Sequence, residues 1–155
     1  MTGAILDLGC GTWCRGDICI DIQFWYRHPL DEPWKFDSVV GGRKENPDLV
    51  IADINYPLPL RSESVDTDIL RDVLEHLECP LSTLKEVYRV LKRGGVVKVT
   101  VPNARVSLAD WRDHSHVYSF TVPTAVRLIS RFFRVVKTQL LFDDECIFIV
   151  AEKVG

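Results

Sequence analysis

The chain has 155 residues, 46% of them hydrophobic and 26% charged, and carries a formal net charge of −3. That length suits one domain able to bury roughly 68–70% of its unfolded surface, and a mildly acidic balance without a basic tail offers no general electrostatic footprint for nucleic acid. No run of about 18 apolar residues marks a membrane span, and Met1-Thr2-Gly3 runs straight into an apolar stretch, leaving no signal peptide.

In chain order, strand-like runs fall at 4–8, 18–22, 49–53, 68–70, 96–101, 134–142 and 146–152. The clearest helix begins near Pro80, where Leu81, Leu84, Val87, Tyr88 and Leu91 recur at helical spacing. Proline suits a first helical turn, and Thr83 with Glu86 would form a capping box if the helix begins slightly later. Lys92 and Arg93 favour its negative end, and Gly94 stops it. A second helix follows Thr121 and carries Val126, Leu128, Ile129 and Phe132. Alternating strands and helices predict a parallel sheet wound on both sides. The short turn Asp143-Asp144-Glu145 can join its two flanking strands only as an antiparallel pair.

Two connections stand out. Between Gly11 and Ile18 there is no room for the helix that normally accompanies a parallel crossover. Residues 23–47 concentrate Phe24, Trp25, Tyr26, Trp34 and Phe36 among prolines and glycines. Such density reads as core packing or a sheet-covering layer; the alternatives are a cover over a ligand or a homodimer contact. His28, in the same stretch, carries no signal.

Five cysteines are an odd number, and Cys10, Cys14 and Cys19 lack zinc-site spacing. Cys10 and Cys19 read as small hydrophobes. Reduced thiols predict a cytoplasmic protein without a bound metal.

The most informative stretch is Ile5-Leu6-Asp7-Leu8-Gly9-Cys10-Gly11-Thr12. A buried strand that ends in two glycines lets the backbone turn tightly and lets a ligand approach the main chain. In an open α/β sheet that turn sits at the carboxyl end of a strand, where ligands bind. A dinucleotide fingerprint would need a third glycine where Cys14 stands and an acid about 20 residues on, whereas Asp21 arrives at half that interval. A dehydrogenase reading is therefore disfavoured.

The run resembles motif I of the class I S-adenosylmethionine (SAM)-dependent methyltransferases, and the resemblance continues in order along most of the chain. Asp21 stands where the second-strand acid of that family does, and Ile51-Ala52-Asp53-Ile54 resembles its third-strand end. Leu58-Pro59-Leu60 with Ser64-Val65-Asp66 resembles its approach to strand four, and Val73-Leu74-Glu75-His76-Leu77 its following segment. Arg89-Val90-Leu91-Lys92-Arg93-Gly94-Gly95 and Val101-Pro102-Asn103 are similar to its passage through strand five. The resemblance implies an α/β fold: a Rossmann-like, doubly wound, mostly parallel seven-stranded sheet with a C-terminal antiparallel hairpin. It also implies one domain over 1–155, lacking the N-terminal cap helices common in that family.

By the same resemblance the cofactor is SAM. Asp7 and the backbone of Gly9, Cys10 and Gly11 would lie by its methionine portion, together with Arg71 and Asp72. Asp21, followed by Ile22, would accept both ribose hydroxyls. Asp53 would accept from the adenine amino group while the Ile54 amide donates to the ring. On the acceptor side, His114 and His116 precede the second helix and His76 follows strand four. Histidine is the natural general base near neutral pH, against which stands a structural role for each as a cap or loop bond. The implied reaction is methyl transfer to oxygen or nitrogen of a small molecule or glycan-like group; the alternative is a SAM-binding partner protein without catalysis.

Overall fold

The structure, a computed structural model, describes residues 3–24, 31–108 and 112–155; Trp25, Tyr26 and His28 lie outside these. Its strands are β1 (Ile5–Leu8), β2 (Ile18–Asp21), β3 (Asp48–Ile51), β4 (Val65–Arg71), β5 (Leu91–Pro102), β6 (Arg134–Leu141) and β7 (Cys146–Glu152). They form one seven-stranded sheet in the order β3-β2-β1-β4-β5-β7-β6. The first five pair in parallel, and β7 runs antiparallel to both β5 and β6. This is the Rossmann-like mixed sheet that the motif order implies.

Helices cover both faces. α1 (Asp37–Val40) follows a 3-10 turn at Pro33–Phe36, α2 spans Pro80–Val90 and α3 spans Val122–Ile129. Leu84, Val87 and Val90 of α2 and Ala125 and Ile129 of α3 pack with Leu70, Val97 and Val99 in the main core. Phe36 and Val40 pack instead with Ile69, Cys146 and Phe148. Successive strand residues point to opposite faces, so Ile69 and Leu70 put the two clusters on opposite sides of β4.

β4 extends beyond the 68–70 run on both sides, because Asp66 and Thr67 break the apolar pattern ahead of it. Asp68 is fully buried in the strand, and neither carboxylate oxygen has a well-formed hydrogen bond. Burial pushes its carboxyl well above the ordinary value, and neighbouring Asp7 pushes the same way.

Some local expectations are corrected. α2 already begins at Pro80, which places Thr83 and Glu86 inside it, so they form no capping box. The Thr83 hydroxyl donates to the Ile54 carbonyl at 3.0 Å, and Glu86 accepts from the Leu58 amide at 2.8 Å. The capping box belongs to α3, between Thr121 and Thr124, and α3 ends before Phe132. Cys14 and Cys19 are joined by a disulfide, with Cys10 free and buried beside them. Cys19 is thus not a reduced thiol, which removes the ground for a cytoplasmic assignment. Among the described residues no helix is long and apolar enough to cross a membrane.

The β1–β2 crossover has no helix. Its place is taken by a tight loop around Arg15, whose side chain is fully buried. The guanidinium donates to the Pro33 carbonyl, to the Trp13 carbonyl at 3.3 Å and to Asp37 at 3.4 Å. One buried cation thereby ties the crossover to the α1 layer. The loop closes only because position 16 lacks a side chain: a Cβ there would lie 2.6 Å from the Ile18 carbonyl oxygen and 2.8 Å from the Ile5 carbonyl oxygen. Those are backbone atoms and cannot rotate away. Gly16→Ala is expected to destabilise the fold by about 1–3 kcal/mol, the cost of overpacking, read as a fall in Tm; an unchanged Tm would show that the loop relaxes freely.

Candidate functional site

A cavity of about 860 Å³ opens at the carboxyl ends of β1 to β5. Gly9, Gly11, Asp21, Ile22, Asp53, Ile54, Arg71, Asp72, His76 and His116 line it. Chain segments more than 100 residues apart in sequence thus meet at one mouth, where an open α/β sheet places its ligands.

The first wall is backbone. Gly9 and Gly11 both adopt left-handed conformations, with φ of 66° and 57°. A Cβ on Gly9 would lie 2.7 Å from the Val73 side chain, so the turn must stay bare. Asp21, at the end of β2, accepts from the Gly11 amide at 2.7 Å and from the Gln23 amide at 3.2 Å, one bond to each oxygen. A carboxylate offers about four acceptor positions, so Asp21 is oriented by the loop and keeps capacity for a ligand.

The second wall follows β3 and β4. Asp53 Oδ1 accepts from the backbone and side-chain amides of Asn55 at 2.9 and 3.0 Å. Asp72 sits in the left-handed region at φ 51°, where Asp is among the more tolerant side chains. Its amide donates to the Thr100 carbonyl at 3.0 Å, and its Oδ1 accepts from the Thr100 hydroxyl at 2.9 Å. Arg71 is gripped by both oxygens of Asp31, at 2.9 and 3.1 Å, and lies over the Phe36 ring.

The third wall gathers Glu75, His76, Asp113, Ser115 and His116. The amides of Val117 and Tyr118 donate to the Glu75 carbonyl at 2.7 and 3.1 Å, stitching the 112–118 loop to the 3-10 turn Leu74–His76. The imidazoles of His76 and His116 meet edge to face, 4.7 Å between centroids. His76 Nδ1 lies 2.9 Å from the Ser115 hydroxyl oxygen, which also bonds Asp113. Burial, reinforced by the His116 charge, holds His76 below the ordinary histidine value.

Three of the sequence candidates stand apart from the cavity lining. Asp7 lies buried beneath the glycine turn, where one oxygen accepts from the Arg15 amide at 2.8 Å and the other has no partner. Burial raises its carboxyl to about 7, an effect partly offset by Arg15. The Cys10 thiol turns inward to Cys14 and Cys19, and His114 is exposed on the loop. Glu75, Asp31 and Asp113 line the cavity without having been singled out. The motif around Glu75 and the 113–118 stretch that carries the two histidines are signals for two of them, and Asp31 has none.

Comparison with known proteins fits this geometry. A family model described as a methyltransferase domain matches residues 32–99. A protein of Mycolicibacterium smegmatis, named as a probable S-adenosylmethionine-dependent methyltransferase, is 32% identical over 110 residues, covering 70% of this chain and 41% of that protein. The chain therefore spans about two fifths of that relative's length. Two solved structures share the fold. A chain from the complex of the Haloferax volcanii Trm112 methyltransferase activator with a methyltransferase candidate superposes with a TM-score of 0.73 at 16% identity, over 99% of this chain and 83% of that one. The cyclase SpnF superposes with a TM-score of 0.72 at 15% identity, over 99% and 76%. Fold, motif order and these matches agree: the chain has the fold of the class I SAM-dependent methyltransferases and is similar in sequence to members of that family.

Proposed function

We propose that the cavity binds SAM along β1 to β4 and that methyl transfer takes place at its Glu75–His116 end, to oxygen or nitrogen of a small-molecule or glycan-like acceptor. The observation that carries this reading is the pairing of the bare Gly9–Gly11 turn with an Asp21 carboxylate that the same turn orients. SAM supplies an activated methyl group on its sulfonium. What remains for the protein is to hold donor and acceptor in line, a contribution that can reach several kcal/mol.

Each residue has a distinct part in that task. Asp21 accepts the two ribose hydroxyls while its amide bonds keep it from turning away. Asp53 accepts from the adenine amino group, and the Ile54 amide donates to the ring edge, with the exposed Ile22 side chain as apolar surface. The backbone at Arg71 and Asp72 contacts the methionine portion; the Asp31 clamp on Arg71 and the Thr100 bonds to Asp72 fix that stretch. Asp7 supports the glycine turn from below through the Arg15 amide. The acceptor enters past His76 and His116 and loses its proton there. Asp72, Glu75 and Asp113 make this mouth acidic, which favours a neutral or cationic acceptor over a polyanion such as nucleic acid.

SAM and S-adenosylhomocysteine are expected to bind, and NAD is not. At about 100 times its dissociation constant, a bound ligand stabilises the fold by roughly 2.7 kcal/mol. Titration calorimetry and thermal shift would read both quantities. Absence of SAM binding, or NAD binding of similar strength, would remove the reading.

A further inference from the structure

The third wall holds more chemistry than a proton acceptor requires. Glu75, His76 and His116 each offer one ligand atom, and these three atoms all lie within 4.8 Å of one another. Glu75 Oε1 and His76 Nε2 are 3.8 Å apart. A tetrahedral cation bound at about 2.0–2.2 Å sets its ligand atoms roughly 3.4 Å apart, so rotamer adjustments smaller than a bond length would close the set.

The surroundings are those of oriented ligands. A metal-bound histidine typically uses its second ring nitrogen to bond a carboxylate, carbonyl or hydroxyl, which fixes tautomer and direction. His76 Nδ1 is held by the Ser115 hydroxyl, itself bonded to Asp113. His116 Nε2 lies 3.4 Å from Asp113 Oδ2. Asp113 thus anchors both rings, one directly and one through Ser115, while Nε2 of His76 faces Glu75. Glu75 is fully buried and the His116 side chain nearly so, whereas His76 is partly open to the cavity.

We propose that Glu75, His76 and His116 form a binding site for a first-row divalent cation at the acceptor end of the cavity. Two imidazoles and one carboxylate suit zinc, iron or cobalt better than magnesium or calcium, which prefer all-oxygen sets. Three protein ligands leave coordination positions directed at the cavity, where an acceptor oxygen would bind and give up its proton at lower cost. The acceptor class is then a hydroxyl compound. This last step rests on the methyl-transfer reading; the cation site does not.

Cobalt(II) is the probe, added to the chelator-treated 155-residue chain and followed by visible absorption and by equilibrium dialysis. One equivalent should bind, with weak visible bands of nitrogen and oxygen ligation and no intense thiolate charge-transfer band. His76→Ala should abolish stoichiometric binding. Ser115→Ala, which removes only the hydroxyl that orients His76, should weaken it about 10–100-fold, with the thermal transition and SAM affinity retained in both variants. The proposal is overturned if no equivalent binds, if binding survives His76→Ala, or if an intense thiolate band assigns the cation to a free cysteine such as Cys10. SAM titration of the same samples tests the methyl-transfer reading separately.

Discussion

Asp21→Ala is expected to weaken SAM binding by about 1.5–3 kcal/mol, the range for hydrogen bonds to a charged group, which corresponds to a loss of roughly 10- to 150-fold in affinity. Two effects add in the same direction. In the proposed binding mode the ribose hydroxyls would lose their acceptor, and the Gly11 amide loses the carboxylate oxygen that it meets at 2.7 Å. The glycine turn is then free to depart from the geometry that a ligand needs. The fold should survive, because Asp21 is half-exposed at the end of β2 and its neighbours Cys19 and Ile20 carry the packing. Asp21→Asn separates the two contributions, since it keeps an acceptor for Gly11 while removing the charge. Calorimetry with SAM, alongside a thermal melt, decides the matter. Unchanged affinity with a collapsed Tm would make Asp21 a structural residue.

The second large effect concerns stability against pH. Asp68 and Asp7 are buried on adjacent strands, and burial raises both carboxyls. In the unfolded chain each would ionise near its ordinary value of about 3.9. Between that value and the raised folded one, the native state holds protons that the unfolded state has released. Stability must therefore fall as pH rises through this window, by up to about 1.4 kcal/mol per pH unit for each group. For Asp7 the window closes near pH 7. Because the two carboxyls interact, the slope belongs to the pair.

The protein should accordingly become more stable on going from pH 7 to pH 5. Further acidification reverses this, because Asp66, Glu86 and Asp113 are held below their ordinary values by their partners and lose those bonds on protonation. Asp68→Asn should raise stability at pH 7 and flatten the slope between pH 5 and pH 7. Its amide would leave buried polar groups, at a cost that does not vary with pH, so the slope is the diagnostic quantity. Urea unfolding at a series of pH values measures it. A wild-type profile that is flat or rises with pH, or an unaltered slope in Asp68→Asn, would contradict the account.

Much of the sheet was legible because its strands are local signals. The apolar runs at 4–8, 18–22 and 146–152 needed only neighbouring residues to be read, and Asp143-Asp144-Glu145 dictated the antiparallel pair. β4 outruns its 68–70 signal because Asp66 and Thr67 carry no apolar pattern ahead of Asp68, which the surrounding packing sustains in the core. At the site, the rule that ligands gather at strand carboxyl ends, together with the motif resemblance, led to residues that line the cavity at β1 to β4. What stayed hidden depends on contacts between distant segments. Asp31 is 40 residues from Arg71, and nothing near either one announces the pair. The burial of Arg15 and the meeting of His76 with His116 are likewise decided by the tertiary arrangement.

The helix-free crossover also bears on how the chain reaches its fold. Leu6 pairs with Ile18 across a short loop, whereas Ile5 must find Thr67 across most of the first half of the chain. Loop-closure entropy grows with the logarithm of loop length, so the first contact is cheaper by about 1.5 kcal/mol. A β1–β2 ribbon can therefore form early and offer β4 a ready edge, giving this corner of the cavity a low local contact order within a fold otherwise dominated by distant pairings. Strain introduced at Gly16 would then be felt in the folding rate, and a chevron for Gly16→Ala would show it as a lowered folding limb.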